Sequence, residues 1–384
     1  MLAALGVGTV CGLLAPELSR ELGPLANVFI RLIRSIVAPL LFGVLVSAVA
    51  SASDLRGMGK LGIRSVVYFE VVTTFALLIG WGAVAIARPG GGVRLVTVEP
   101  RALNAPSFTD VVERSFPASV MDAMARGDVL QIVVFAFLFG AAANVVGSRS
   151  LAVRTFTESL ARISFQFTAI VMYTAPVGVF AAMASAIGGN GSGVLMGLGR
   201  FVAAAWCAQL AFVLLVVGSA LRLARVPLVS FARAAWEPVL VAFGTTSSAA
   251  ALPAAMAAME TFGVSRRVIG FAMPLSLSLN AAGSTIHLAM AAFFVAQAAG
   301  MHLAPSEQLA ILATLKLTSK GVAGIPRANF IILAALFATF SIPMEGLAVL
   351  LGVDAAIDGV RTGVNVLGHC AGSAVISRWE ERRV

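Results

Sequence analysis

The stretch VDAAIDGVRTGVNVLGH, residues 353–369, places charged and polar side chains inside an otherwise apolar part of the chain. Residues three or four positions apart share one face of an α-helix. An ionisable group at bilayer depth costs at least about 2.5–3.5 kcal/mol on insertion scales, so this stripe is predicted to face protein, water or a bound solute. The side chains of the stripe are Asp354, Asp358, Arg361, Asn365 and His369, with Thr362 beside them.

Composition places the rest of the chain in a membrane. Of its 384 residues, 59% are hydrophobic and 12% are charged, whereas soluble proteins are about 25% charged. Apolar runs of about 20 residues, long enough to cross a bilayer, recur from end to end. The chain is therefore predicted to be an all-α polytopic membrane protein. The net charge of +9 comes from basic residues between these runs, so no nucleic-acid partner is expected.

The three cysteines lie in separate apolar runs without the spacing of metal ligands. They are expected to be small buried hydrophobic residues, and no cofactor is predicted. They are Cys11, Cys207 and Cys370.

Six ordinary spans are predicted in the first part of the chain, and 88–128 is expected to be a long polar loop with short helices. These spans are 2–15, 23–52, 63–87, 129–147, 157–187 and 194–224. Basic residues gather in the loops on one side of the spans, for example Arg222, Arg225 and Arg233. By the positive-inside rule, both termini are expected to be cytoplasmic.

The pattern changes beyond residue 226. Two short apolar arms flank a polar, glycine-containing tip at 228–262 and again at 305–343, which favours two re-entrant hairpins. A long helix with polar interruptions follows each hairpin, at 268–298 and 345–377. Two such units indicate an internal inverted repeat with a substrate site at its interface, and they bring the transmembrane helices to eight.

Arg361 and Asp358 together suit a ligand with an anionic and a cationic group. The planar guanidinium matches a carboxylate, Asp358 can receive an ammonium, and Asn365 adds a neutral donor and acceptor. The structural alternative is that Arg361 and Asp358 neutralise each other and clamp the helix into the bundle, and Asp354 is interpreted as such a local pair or cap. Binding of an acidic amino acid is weighed above this alternative.

Two other segments offer polar groups. The tip of the first hairpin carries Ser247 and Ser248, which can hold a carboxylate at a helix N-terminus; a turn bonded to itself is the alternative. In the long helix 268–298, small and polar residues favour an unwound turn whose carbonyls coordinate a cation, and packing of small residues is the alternative. Those residues are Ser276, Ser278, Asn280, Gly283 and Ser284. His287, just beyond, is interpreted as a satisfied packing residue.

Several stretches give the chain a resemblance to a known family. It is similar to the dicarboxylate/amino acid:cation symporters, the glutamate transporters and their prokaryotic homologues. The stretches are FIRLIRSIVAPLLFGVLVSAVAS (29–51), VLQIVVFAFLFGAA (129–142), TSSAAALP (246–253), NAAGS (280–284), GVAGIP (321–326) and GVDAAIDGVRTGVNVLGHCAGSAVISRWE (352–380).

The resemblance implies a glutamate-transporter-like fold and a homotrimer in the bacterial inner membrane. Each protomer moves a transport domain across the bilayer in an elevator mechanism. The implied division is a scaffold part with the first two helices at 1–62, the third helix and long loop at 63–128, scaffold helices and helix six at 129–225, and the transport core at 226–384.

The resemblance also assigns substrate contacts. Arg361 would bind the side-chain carboxylate and Asp358 the amino group. The remaining contacts it implies are Thr362, Asn365, Ser247, Ser248, Ser284 and Gly324. Because both charges are present, L-aspartate or L-glutamate is favoured, with a C4-dicarboxylate as the alternative.

The chain departs from the family pattern where sodium would bind. Ala282 replaces an aspartate in the broken helix, and His369 stands where sodium-coupled members have another acid. In the second hairpin, Lys320 follows Ser319, and Val322 replaces a hydroxyl residue. A hard cation needs oxygen ligands, so sodium coupling is predicted to be weakened or lost. Proton coupling through His369 is one hypothesis, and Lys320 standing in for a bound cation is another. The ion-coupling candidates are Asn280, Ser276, Ser278, Ser319, Lys320 and His369.

Other classes of protein fit the sequence less well. A substrate-gated anion channel or exchanger is the main alternative, and a receptor that binds an amino acid without transport is another. A hydrolase is disfavoured because the serines, histidines and aspartates have no triad spacing and no G-x-S-x-G elbow is present. The chain is therefore not expected to be an enzyme.

Overall fold

The secondary structure is all helical in the residues that a computed structural model describes: 2–50, 60–91, 116–191, 193–320 and 328–381. The first group of helices is α1 (Leu2–Leu14), α2 (Pro16–Arg20), α3 (Gly23–Ala50), α4 (Lys60–Ala87), α5 (Val120–Arg126), α6 (Val129–Val146), α7 (Leu151–Met172) and α8 (Ala175–Asn190). A short 3₁₀ turn, Gly147–Ser150, joins α6 to α7.

The second group contains the segments predicted to bind substrate. It comprises α9 (Gly193–Phe212), a π-helical turn (Val213–Val217), α10 (Gly218–Leu223), α11 (Leu228–Thr245), α12 (Ser248–Phe262), α13 (Arg266–Leu279), α14 (Ala282–Ala298), α15 (Pro305–Thr318), α16 (Ala328–Thr339) and α17 (Glu345–Glu381). We call α11 with α12 the first hairpin and α15 with α16 the second hairpin.

Four helical stretches among the described residues are long and apolar enough to cross a membrane. They are Lys60–Ala87, Gln131–Val171, Gly193–Leu223 and Arg266–Ala298. Shorter apolar helices accompany them, so the protein is a multi-pass membrane protein. Many large apolar side chains on these helices are exposed, Ile86 and Leu223 among them, as expected where lipid replaces water.

The predicted span 157–187 is wrong as a single helix. The chain leaves the helix at Tyr173 and Thr174, and α8 starts with Pro176 in its first turn. A proline is tolerated there because the first turn has no partner for its backbone N–H, whereas inside a continuous helix it would remove a hydrogen bond. The long loop does contain the expected short helix, α5, which Ser119 caps by accepting from the backbone N–H of Asp122.

The cysteines also differ from expectation. Cys370 is buried, but Cys11 is only partly buried and Cys207 is exposed. Cys207 lies on α9, an apolar helix of spanning length, where an exposed thiol can face lipid without cost.

Helix α17 lies at the centre of the second group. It packs against both arms of the first hairpin, against α13 and α14, and against α4, α8 and α9. In the first group, α1 packs on α8, while α3 packs on α6 and α7. The helix face that carries the polar stripe is therefore enclosed by protein, as the sequence predicts.

Candidate functional site

Arg361 is the centre of a charged cluster on α17. Only 2% of the residue is exposed, and its Nη1 donates to Asp354 Oδ1 at 2.9 Å. Its Nη2 pairs with Asp358 one turn away. A buried guanidinium needs such partners because an unpaired buried charge is strongly destabilising. The local pair that the sequence offered as an alternative is thus present, and Asp354, seven residues away, contributes to it as well.

Asp358 is the more accessible of the two carboxylates. Its side chain is 15% exposed, compared with 6% for Asp354. The hydroxyl of Thr362 donates to Asp358 Oδ1 at 3.5 Å. Gly359 brings the backbone of α17 against the carbonyl oxygen of Phe243 on the first hairpin. Asp358 therefore lies where α17 meets the hairpin, the position at which a bound solute would reach it.

Asn365 joins α17 to the start of α14. Its Oδ1 accepts from the backbone N–H of Ser284 at 3.2 Å, and its Nδ2 donates to the hydroxyl of Ser284 at 3.1 Å. Gly283 allows this approach, because a Cβ there would overlap the carbonyl oxygen of Arg361. The amide of Gln209 on α9 donates to the carbonyl of Gly283 at 2.9 Å. The structure therefore brings Ser284 and Asn365 together beside Arg361.

The helix break predicted in NAAGS lies at Asn280 and Ala281, between α13 and α14. Asn280 is fully buried, and its Nδ2 donates to the carbonyl of Gly368 at 3.1 Å. Its Oδ1 has no hydrogen-bond partner in the part of the chain that the structure describes. Ala282 is also fully buried and begins α14. The break therefore combines one amide with a methyl side chain, which contributes no oxygen to a cation.

The tip of the first hairpin is a tight turn. Thr246 adopts a left-handed backbone conformation with φ of 50°, and Ser247 caps α12 by accepting from the backbone N–H of Ala250 at 3.2 Å. Ser248 is buried at the first position of α12. Among the described residues neither serine hydrogen-bonds to α17. In this structure Ser247 is thus used within its own turn.

The remaining ion-coupling candidates do not converge on one point. The hydroxyls of Ser276 and Ser319 donate to carbonyls of their own segments, Met273 at 2.6 Å and Lys316 at 3.4 Å. Ser278 is exposed. Val322 and Gly324 lie outside the described residues.

Lys320 instead links the second hairpin to α4 and to the break. Its Nζ lies 2.5 Å from Glu70 Oε1, 3.2 Å from Thr73 Oγ1 and 3.5 Å from the carbonyl oxygen of Leu279, the last residue of α13. Lys316 pairs with the other carboxylate oxygen of Glu70 at 2.9 Å. A fixed ammonium therefore lies among a carboxylate, a hydroxyl and a carbonyl, the ligand types that a bound cation uses.

The two buried histidines have different surroundings. Both are 1% exposed, and neither ring has a hydrogen-bond partner in the described part of the chain. His287 Nε2 lies 3.9 Å from Asp354 Oδ1, whereas the described residues place no carboxylate within 4 Å of His369. The expectation that His287 is a satisfied packing residue is wrong. The signal was its spacing: His287 follows Gly283 and Ser284 by four and three residues, so it shares their face toward α17.

Comparison with known proteins adds the family. The sequence model of the sodium:dicarboxylate symporter family matches residues 1–379. The chain is 38% identical to a C4-dicarboxylate transport protein of Anaeromyxobacter sp. (strain K) over 390 residues, which cover 99% of this chain and 89% of the relative. It is 36% identical to a proton/glutamate-aspartate symporter of Bacillus subtilis (strain 168) over 389 residues, covering 99% of this chain and 94% of the relative. The resemblance predicted from the motifs is therefore confirmed: the chain is a transporter, not an enzyme, and belongs to the sodium:dicarboxylate symporter family.

Proposed function

We propose that this protein is a secondary active transporter of acidic amino acids, L-aspartate and L-glutamate. The observation that carries the proposal is the buried Arg361 held between Asp354 and the more accessible Asp358. A substrate carboxylate binds a guanidinium in the same planar geometry as these aspartates do. It can therefore exchange with Asp358 for Arg361 at little cost in unpaired charge.

The same exchange favours an amino acid over a dicarboxylate. When a substrate carboxylate takes Arg361, Asp358 loses its partner and becomes an unpaired, largely buried anion. The ammonium of an amino acid replaces that partner, whereas a C4-dicarboxylate brings only more negative charge. Thr362, Asn365 and Ser284 lie beside this position as neutral donors and acceptors. Ser247, Ser248 and Gly324 complete the proposed contacts, with the hairpin tips closing over the substrate.

C4-dicarboxylates are the second candidate substrate because several relatives, including the one from Anaeromyxobacter, are named as C4-dicarboxylate transport proteins. Binding calorimetry on the purified protein with L-aspartate, L-glutamate and succinate, each with and without sodium, separates the two. Aspartate or glutamate is expected to bind more tightly than succinate. Tighter binding of succinate would overturn the choice of an amino acid. A substrate-gated anion channel or exchanger would instead give an anion current across the liposome membrane without saturable uptake of the substrate.

The proposal includes an elevator mechanism in a homotrimer, with 226–384 as the transport core and two re-entrant hairpins. The packing that supports it is the close association of α17 with α11, α12, α13 and α14, since helices that move together need a common interface. The first two helices and those at 129–225 form the proposed scaffold, and the third helix with its loop, 63–128, connects it. Eight spans and cytoplasmic termini in a bacterial inner membrane belong to the same proposal.

We also propose that sodium coupling is lost. Ala282 provides no side-chain oxygen at the break, and the ring nitrogens of His369 suit sodium poorly. The ammonium of Lys320, 3.5 Å from the Leu279 carbonyl, places a positive charge near the break. A tethered cation of this kind removes the need for a soluble one.

A further inference from the structure

Among the described residues, the charged groups that His287 faces all lie on one element, α17. On α17 these are Asp354, 3.9 Å from its Nε2, and Arg361. Helix α9 contributes the ring of Phe201, whose centroid lies 6.1 Å away. Helices α4 and α15 also pack on α14, and the charged groups nearest their meeting are Glu70, Lys316 and Lys320. Both lysines pair with Glu70. In the part of the chain that the structure describes, the carboxylate within ion-pair distance of this imidazole is Asp354.

Asp354 is shared. It is the partner of Arg361 at 2.9 Å, and it is the carboxylate that a protonated His287 would pair with. Neutral imidazole leaves Asp354 to Arg361. Imidazolium competes for the same carboxylate oxygen, because an opposite charge at this distance in a buried site is strongly attractive. The protonation state of His287 therefore decides how firmly Arg361 is held by its own helix.

We propose that His287 is the proton-coupling residue of this transporter, and that its protonation releases Arg361 from Asp354 to bind the substrate carboxylate. The proton adds to a ring nitrogen and no covalent bond breaks. This inference rests on the proposed function, since it names the coupling ion and its site for that same substrate. His287 does not touch the substrate; it positions Arg361.

The charge balance supports the same assignment. Asp354, Asp358 and Arg361 together carry one net negative charge, and an acidic amino acid brings another into the same buried space. One proton on His287 cancels the added charge, which makes joint binding of proton and substrate favourable. Protonation of His369 would instead create a buried cation with no carboxylate within ion-pair distance among the described residues. The structure thus favours His287 over His369 as the proton site.

The test is uptake of labelled L-aspartate into proteoliposomes at a series of external pH values, with the apparent KM measured for the full-length protein and four variants. These are His287→Gln, Asp354→Asn, His369→Gln and, as a matched control in a segment outside the proposed site, His302→Gln. With one proton bound per substrate, the KM of the wild type should rise about tenfold per pH unit once the proton site is no longer occupied. His302→Gln should follow it.

The apparent KM values of His287→Gln and Asp354→Asn should shift in opposite directions. His287→Gln should show a flat KM at the high, alkaline value of the wild type, because Arg361 stays paired with Asp354. Asp354→Asn should show a flat KM near the low, acidic value, because Arg361 then keeps only Asp358, the partner that the substrate replaces. If His287 and Asp354 had only a structural role, the two substitutions would not shift the apparent KM in opposite directions.

Three results would overturn the inference. If His287→Gln kept the wild-type dependence of KM on pH, His287 would not be the coupling residue. If only His369→Gln lost that dependence, His369 would be the proton site. Wild-type transport without pH dependence would refute proton coupling and leave the proposed function standing. Failure of the wild type to bind or transport any acidic substrate is a different result, which contradicts the proposed function itself.

Discussion

The interface between α14 and α17 has two regions with opposite character. In the first, around Arg361, charged groups are matched: the guanidinium meets two carboxylates, and His287 lies within reach of one of them. In the second, around the helix break, the side chains are unmatched. Asn280 Oδ1 and both ring nitrogens of His369 have no hydrogen-bond partner among the described residues. The side chain of Ala282 has no polar atom.

The difference indicates that the groups for substrate binding are present whereas the ligands for a coupling sodium ion are not. The first region has the groups that an acidic amino acid requires, and its ion pairs can exchange with those of the substrate. The second region has the position but not the oxygen ligands of a sodium site. Substrate recognition and sodium coupling are therefore expected to respond independently to mutation.

The largest effect should come from the first region. Arg361→Ala removes the charged partner of the substrate carboxylate in our proposal and leaves Asp354 and Asp358 repelling each other. Loss of one member of a buried charge pair costs about 3–5 kcal/mol, so calorimetry should show affinity for acidic substrates lowered by more than about 100-fold. Arg378→Ala, near the exposed end of the same helix, is the control. Retained micromolar affinity in Arg361→Ala would mean that the substrate binds elsewhere.

Asp358→Asn sharpens the comparison by separating the two substrate classes. Loss of a charged hydrogen bond to the ammonium should weaken aspartate binding by roughly 10- to 100-fold. Succinate, which has no ammonium, should lose little or bind more tightly because a repulsive charge is gone. Equal losses for both ligands in calorimetry would contradict the assignment of Asp358 to the amino group.

Gly283→Ala tests whether the two regions depend on one close backbone contact. A Cβ there would overlap the Arg361 carbonyl oxygen, and such overpacking costs about 1–3 kcal/mol. The melting temperature of the detergent-solubilised protein should fall. Gly270→Ala, on the exposed face of α13 with no atom within 4 Å of the new methyl group, should be neutral or slightly stabilising. Identical melting temperatures for both variants would argue against close packing at Gly283.

The smallest effect is expected at Lys320. Lys320→Gln removes an ion pair whose carboxylate is 40% exposed, so the loss in stability should be at most about 1 kcal/mol. Uptake should become modestly stimulated by sodium, because the break loses its tethered charge. Lys316→Gln is the matched control, since Lys316 also pairs with Glu70 but makes no contact with the Leu279 carbonyl. Sodium stimulation in both variants, or in neither, would remove Lys320 as a substitute cation.

The sequence predicted most helix bounds because polar, glycine-containing segments interrupt otherwise apolar runs. The first hairpin, the break at Asn280 and the start of α17 lie within about two residues of expectation. The split at Tyr173 was missed although Pro176 marked it, since the hydropathy on both sides is continuous. The role of Asp354 was underestimated because its partner lies seven residues away, two turns along the helix, rather than at the nearest spacing.

The site was less predictable than the fold. One-dimensional patterns identify the face on which Arg361, Asp358 and Asn365 lie, but they do not show that His287 on another helix reaches that face. The oxygen atoms that contact the ammonium of Lys320 come from α4 and α13, which are far apart in sequence. Only the packing of these helices brings them together.

The most direct test of the separation between substrate and ion chemistry is initial uptake of labelled L-aspartate into proteoliposomes under three conditions. These are an inward sodium gradient at equal pH, an inward proton gradient without sodium, and no gradient. We predict accumulation above equilibrium with the proton gradient and no more than equilibration with the sodium gradient. Accumulation that strictly requires sodium would contradict the account.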